Sequence, residues 1–140
     1  MARVKIEMPE NYGFTTRVMV RVSDVNYGGH MGNDAVLAFV HEARIRFLKS
    51  LGYTEIDMEG VGLIMADSAI IYKSEAFMGD VLNVDVAAGD FNKLGFDLFY
   101  RIFNKETGKD VAHVKTGMVC FDYESRKIAA LPERAKEQLS

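Results

Sequence analysis

The run from Asp34 to Leu51 limits what this chain can fold into more than any other stretch. Val36, Val40, Ala43, Phe47 and Leu51 recur at helical spacing, and Leu37, Phe39 and Leu48 widen the stripe. Glu42, Arg46 and Lys49 supply only a thin polar strip, and Gly52 suits the position just past a helix C-terminus. A helix this apolar has to be wrapped by other elements, so the rest of the chain must provide the wrapping.

The rest has the period of strands. Thr16, Val18, Val20 and Val22 alternate with Arg17, Met19 and Arg21 over Thr15 to Val22. After the helix, Gly62 to Ser74, Val81 to Ala87, Gly95 to Asn104 and Asp110 to Tyr123 are strand-like runs. Turn signals separate them at Met78-Gly79-Asp80, Gly89-Asp90 with Asn92-Lys93, and Lys105-Glu106-Thr107-Gly108. Short connections predict antiparallel pairing of sequential strands, and Glu133 to Leu139 predicts a short surface helix. The expectation is an α+β chain, a single domain over 1-140, with a five-stranded antiparallel sheet curled around one long central helix. One sheet face carries Phe96, Leu98, Tyr100, Ile102, Val114, Met118 and Cys120. The other still holds Phe99, Phe103, Val119 and Phe121, which predicts a homo-dimer or tetramer formed through the sheet.

Several function classes are excluded at this level. A net charge of −3, with no Lys/Arg-rich face, argues against nucleic acid as a partner. No apolar run approaches the roughly 20 residues needed to cross a bilayer and the N-terminus has no uninterrupted apolar stretch, so no membrane partner is expected and the location expected is cytoplasmic. The single cysteine, Cys120, has no second thiol or His at metal spacing and is expected to pack in the core. No cofactor and no metal are called for by any motif, and there is no Gly-x-Ser-x-Gly elbow.

Chemistry concentrates where the first strand gives way to the helix, in Asp24-Val25-Asn26-Tyr27-Gly28-Gly29-His30-Met31-Gly32-Asn33-Asp34. A glycine-rich turn opening onto a helix puts backbone N–H groups, a positive dipole end and titratable side chains in one small volume. Asn33 or Asp34 is the expected N-cap.

This turn, followed by Glu42-Ala43-Arg44, Phe47-Leu48 and Leu51-Gly52, and later by Gly79-Asp80-Val81-Leu82, resembles the hotdog-fold acyl-CoA thioesterases of the 4-hydroxybenzoyl-CoA thioesterase type. The resemblance spans nearly the whole chain. It departs at Asn26, where that family carries its catalytic Asp, and an amide is no carboxylate base. Asp24-x-Asn26 with a following His30 is also similar to the Asp-x-Asn-x-His of acyl-ACP thioesterases.

The resemblance implies hydrolysis of an acyl-CoA or acyl-ACP thioester by base-assisted attack of water. In that scheme Asp24 is the base, Asn26 orients water or the carbonyl, and His30 polarises the carbonyl or relays a proton. Backbone N–H groups of Gly28, Gly29, His30 and Met31, with Asn33 at the helix entrance, are candidate binders of the substrate carbonyl, Gly29 and His30 first. Asp67, mid-strand and costly to bury unpaired, is a second candidate acid, reaching across a dimer interface. Plainer roles stand beside these: Asp24 capping a turn or pairing with Arg21 or Arg17, the glycines only permitting positive φ, His30 capping the helix, and Asp67 marking a bulge beside Ser68. His41 and His113 look structural, and Glu42 fits an i,i+4 pair with Arg46. Lys73, Arg101 and Lys115 are candidates for the nucleotide phosphates. A non-hydrolytic acyl-CoA binding module is the alternative suggested by Asn26, and a hotdog hydratase or dehydratase ranks behind both because no clear Asn-x-x-His-x-Asp box is present.

Overall fold

One strand precedes the long helix and the others follow it, as the two periodicities require. The chain order is β1 (Phe14–Met19), α1 (Asn33–Ser50), β2 (Gly62–Tyr72), β3 (Val81–Asn92), β4 (Gly95–Asn104), β5 (Asp110–Asp122), β6 (Lys127–Ile128) and α2 (Glu133–Leu139). The structure is a computed structural model that describes residues 3–140.

All pairings are antiparallel, and the sheet runs β1-β3-β4-β5-β2, with the two-residue β6 added to β5 at Phe121 and Asp122. The expected five strands are therefore joined by a sixth, very short one. Sequential pairing holds for β3-β4-β5 but not for β2, which crosses to the far side of the sheet and pairs with β5. β1 stops at Met19 rather than Val22, because Arg21 begins a 3-10 turn over Val22–Asp24 that leaves Val22 73% exposed. β3 runs on to Asn92, with the irregular register after Gly89 absorbing the turn signal expected there.

The core lies between the concave face of the sheet and α1. Phe39, Val40, Ala43 and Leu48 share one buried cluster with Leu82, Val84 and Val86 of β3, Phe96, Leu98 and Ile102 of β4, and Val114, Met118 and Cys120 of β5. Cys120 is buried there and free, and burial pushes its thiol up to about 11. Gly95 is required by proximity: a Cβ there would lie 2.0 Å from the Met118 carbonyl oxygen. Leu37 and Ile45 face outward, so one side of α1 stays uncovered in a single chain.

The core takes in the charged Arg44 from α1. Arg44 donates to Glu55 at 2.9 Å and to the Tyr100 hydroxyl at 3.3 Å, and Tyr100 in turn meets Thr116 at 2.8 Å. His41 reaches the other Glu55 oxygen at 2.9 Å. Burial pushes the Glu55 carboxyl up, but the hydrogen bonds and charges of His41 and Arg44 outweigh it and hold the carboxyl below its ordinary value. The Glu42–Arg46 pair expected on the helix surface is present at 2.8 Å.

Candidate active site

The segment between β1 and α1 folds back on itself through its own short side chains. Asp24 accepts from the Arg21 backbone N–H at 2.8 Å and from its guanidinium at 3.2 and 3.3 Å, closing the 3-10 turn. Burial pushes the Asp24 carboxyl up, but the Arg21 hydrogen bonds and charge outweigh it and keep the carboxyl below its ordinary value. Asn26 makes the next turn: its side-chain oxygen accepts from Gly28 N–H at 3.1 Å and its carbonyl from Gly29 N–H at 3.0 Å. Gly29, at φ +77°, occupies a conformation that favours glycine, and at Gly28 a Cβ would lie 2.8 Å from the His30 ring.

Two further bonds dock this turn on its neighbours. Gly32 N–H donates to the Asp24 carbonyl at 2.9 Å, and Met31 N–H donates to the Ala76 carbonyl at 2.7 Å, beside a β-bridge between His30 and Phe77. The entrance to α1 is thus tied to the chain that leaves β2. Gly32, with no side chain to offer, is the N-cap, where Asn33 or Asp34 had been expected.

This wiring revises the list of donors. The N–H groups of Gly28, Gly29 and Met31 are already spent on Asn26 and Ala76, so they are not the carbonyl donors the sequence suggested. The His30 N–H and the first helical N–H groups, Asn33 and Asp34, meet no acceptor among the described residues. Those three remain free for a ligand, at the positive end of an 18-residue helix.

A cleft of about 240 Å³ opens beside them, lined by Met31, Asn33 and Val36 on one side and by Tyr72, Lys73, Glu75 and Val111 on the other. At its edge the His30 Nδ1 lies 3.2 Å from Glu75 Oε2. The pair is off the line of a hydrogen bond, which leaves the buried Nδ1 without a partner among the described residues. The Phe77 ring flanks the imidazole, 5.0 Å between centroids.

Asp67 belongs elsewhere. A bulge between Met65 and Asp67 turns its side chain to the outer face of the sheet, where it is 64% exposed and accepts from Lys115 Nζ at 3.0 Å and Gly117 N–H at 3.1 Å. The burial cost expected of it does not arise. Lys115 is held by this contact and by Asp97 at 3.8 Å, while Arg101 is shared by Asp110 and Asp85. Of the three basic candidates, only Lys73 lines the cleft. Glu75 escaped the sequence reading, because its proximity to His30 depends on the long-range bridge to Phe77. The one local signal was an acid in the short polar segment Lys73-Ser74-Glu75 that leaves β2.

The fold finds close counterparts. The thioesterase-like superfamily matches residues 20–139. The crystal structure of a 1,4-dihydroxy-2-naphthoyl-CoA thioesterase from Synechocystis superposes with a TM-score of 0.81 at 26% identity, over 90% of this chain and 94% of that one. A DHNA-CoA thioesterase from Staphylococcus aureus gives 0.75 at 23% identity, over 84% and 79%. A gentisyl-coenzyme A thioesterase gives 0.80 at 14% identity, over 91% and 100%. The last two establish the shared fold. With a sheet wrapped on one helix, free amides at that helix's entrance, and a family match over nearly the whole chain, the protein belongs to the thioesterase-like superfamily as a hotdog-fold thioester hydrolase.

Proposed function

We propose that this chain hydrolyses an acyl-CoA thioester in the cleft at the α1 N-terminus, working as an oligomer in which a second copy covers edge strand β2. The observation that carries the proposal is a cleft lined by Asn33 of the helix entrance and the Glu75 carboxylate, with the His30 imidazole at its edge. A thioester carbonyl placed there would gain negative charge on its oxygen as water adds, and the N–H groups of His30, Asn33 and Asp34 are fixed donors for that charge. Each such donor is typically worth about 10²–10³ in rate. Collapse of the intermediate breaks the C–S bond and releases acid and thiol. Asp24 and Asn26 serve as positioning residues, holding the turn that aims these amides. Lys73, at the mouth, suits a phosphate of the nucleotide.

Coenzyme A is favoured over a carrier protein because the three similar structures are named for CoA thioesters. The names also share an aromatic acyl group, so aromatic acyl-CoAs head the panel to be tried. Oligomerisation is supported by β2, which forms one margin of the sheet and exposes Met65, Asp67 and Tyr72. The test is release of free thiol from a panel of aromatic and aliphatic acyl-CoAs. Turnover well above the uncatalysed rate is expected with at least one. Binding of acyl-CoA without cleavage across the panel would instead establish a binding module, and a rise from near zero in Asn26→Asp would mark a catalyst lost at that position.

A further inference from the structure

We infer that Glu75 is the general base of the thioester hydrolysis and that His30 orients it, an assignment resting on the reading of the cleft given above. The chemistry needs a carboxylate that reaches water in the cleft and is not already neutralised. Around the α1 entrance the carboxylates are Asp24, Asp34, Glu75 and Asp80. The Asp24 carboxylate is buried and takes each of its hydrogen bonds from Arg21. Asp80 accepts from the Phe77 N–H at 2.9 Å, closing the turn before β3. Asp34 lies on the first turn of α1, its carboxylate folded back against Gly32 and occupying the space a Cβ there would need. Asp67, the other acid singled out by the sequence, is engaged by Lys115 and Gly117 on the outer face.

Glu75 differs on each count. It lines the cleft, its side chain is 67% exposed, and among the described residues its only close neighbour of opposite potential charge is His30. Its backbone is nevertheless fixed relative to the free amides, because the adjacent Ala76 carbonyl accepts from Met31 N–H and Phe77 bridges to His30. The buried His30 Nδ1 has one candidate acceptor, Glu75 Oε2 at 3.2 Å, and a ring rotation that aligned the two would make that approach a hydrogen bond. That bond would hold one carboxylate oxygen and leave the other toward the cleft.

The step balances without any further reactant. Glu75 takes a proton from water as the water oxygen bonds to the thioester carbon, and the carbonyl π electrons move onto oxygen, facing the amide donors. The C–S bond then breaks, the electrons return to the carbonyl, and the sulfur leaves with the proton that Glu75 had taken. The products are a carboxylic acid and a thiol, and Glu75 is again a carboxylate.

The experiment compares steady-state kinetics of the intact protein with Glu75→Gln, Glu75→Asp and Glu75→Ala on one acyl-CoA that the parent cleaves. A general base of this kind contributes about 10²–10⁴ in rate, so kcat should fall by at least about 10² in Glu75→Gln with KM little changed. Glu75→Asp should keep more activity than Gln, and added formate should restore part of the Glu75→Ala rate. Glu106→Gln, on the far β4–β5 turn, controls for loss of a surface charge and should match the parent. An active parent whose Glu75→Gln variant turns over within about threefold of it overturns the assignment and leaves the proposed function standing. A parent that cleaves no acyl-CoA overturns both. Glu75 is exposed, so unchanged thermal midpoints are expected in all three variants and separate catalysis from folding.

Discussion

The two halves of α1 handle polar groups in opposite ways. In the middle of the helix, Arg44 is taken into the core and every strong partner it needs is supplied, from Glu55, Tyr100 and, through Tyr100, Thr116. At its entrance, the His30, Asn33 and Asp34 amides meet no acceptor, and His30 Nδ1 no hydrogen-bond partner, among the described residues. A saturated network rigidifies and a half-satisfied one costs stability, so the second is retained where something else completes it. The lesson is that unmet hydrogen-bonding capacity, rather than titratable groups as such, separates the entrance of this helix from its middle.

Breaking the saturated half should have the largest effect. Glu55→Ala leaves the Arg44 charge buried without its partner and should cost about 3–5 kcal/mol, read as a lower urea midpoint, with turnover per folded molecule unchanged. The same network gives stability a pH dependence of definite sign. Glu55 and Asp24 bind protons less readily folded than unfolded, so their contribution is complete above the unfolded values of 4.5 and 3.8 and is withdrawn as pH falls through their lower native values. Urea midpoints should therefore fall on acidification below that range, and fall less steeply in Glu55→Ala.

The open half should show the converse. His30→Ala should lower kcat by about 10²-fold, equivalent to about 2.7 kcal/mol of barrier, while leaving the thermal midpoint within a degree or two, because its Nδ1 has no hydrogen-bond partner among the described residues. Asp24→Asn tests the join between the halves. It weakens a cap-like turn and should cost about 1–2 kcal/mol in urea unfolding, with a smaller loss of kcat than in Glu75→Gln. The smallest effect belongs to Cys120, whose buried thiol is pushed up to about 11 and should resist alkylation at neutral pH until the chain unfolds.

Much of the architecture was legible from residue order. Alternation in Arg17 to Met19 and in Phe96 to Ile102, against the helical spacing of Val36 to Leu51, is a local property and survives folding unchanged. The placement of β2 was not legible, since the pairing of Leu63 with Cys120 and Ile70 with Val114 depends on a crossover that no neighbouring residue encodes. At the site, the stretch from Asp24 to Asp34 was found, but the partition of its amides was not. Which N–H groups are spent is decided by the backbone path at Asn26 and by the Ala76 carbonyl, contributed from beyond β2. At Asp67 the bulge weighed beside Ser68 is present, and it turns the side chain off the face that strict alternation along β2 would give it.

The exposed margin at β2 also provides a gauge of self-association. Along an antiparallel margin, amides alternate between those bonded inward to β5 and those directed outward, so in dilute protein their hydrogen–deuterium exchange should alternate slow and fast from one position to the next. If another copy annealed along this edge, as proposed above, the fast set would become protected and the alternation would fade. Asp67, beside the bulge, marks where that second backbone must accommodate an irregular step or stop.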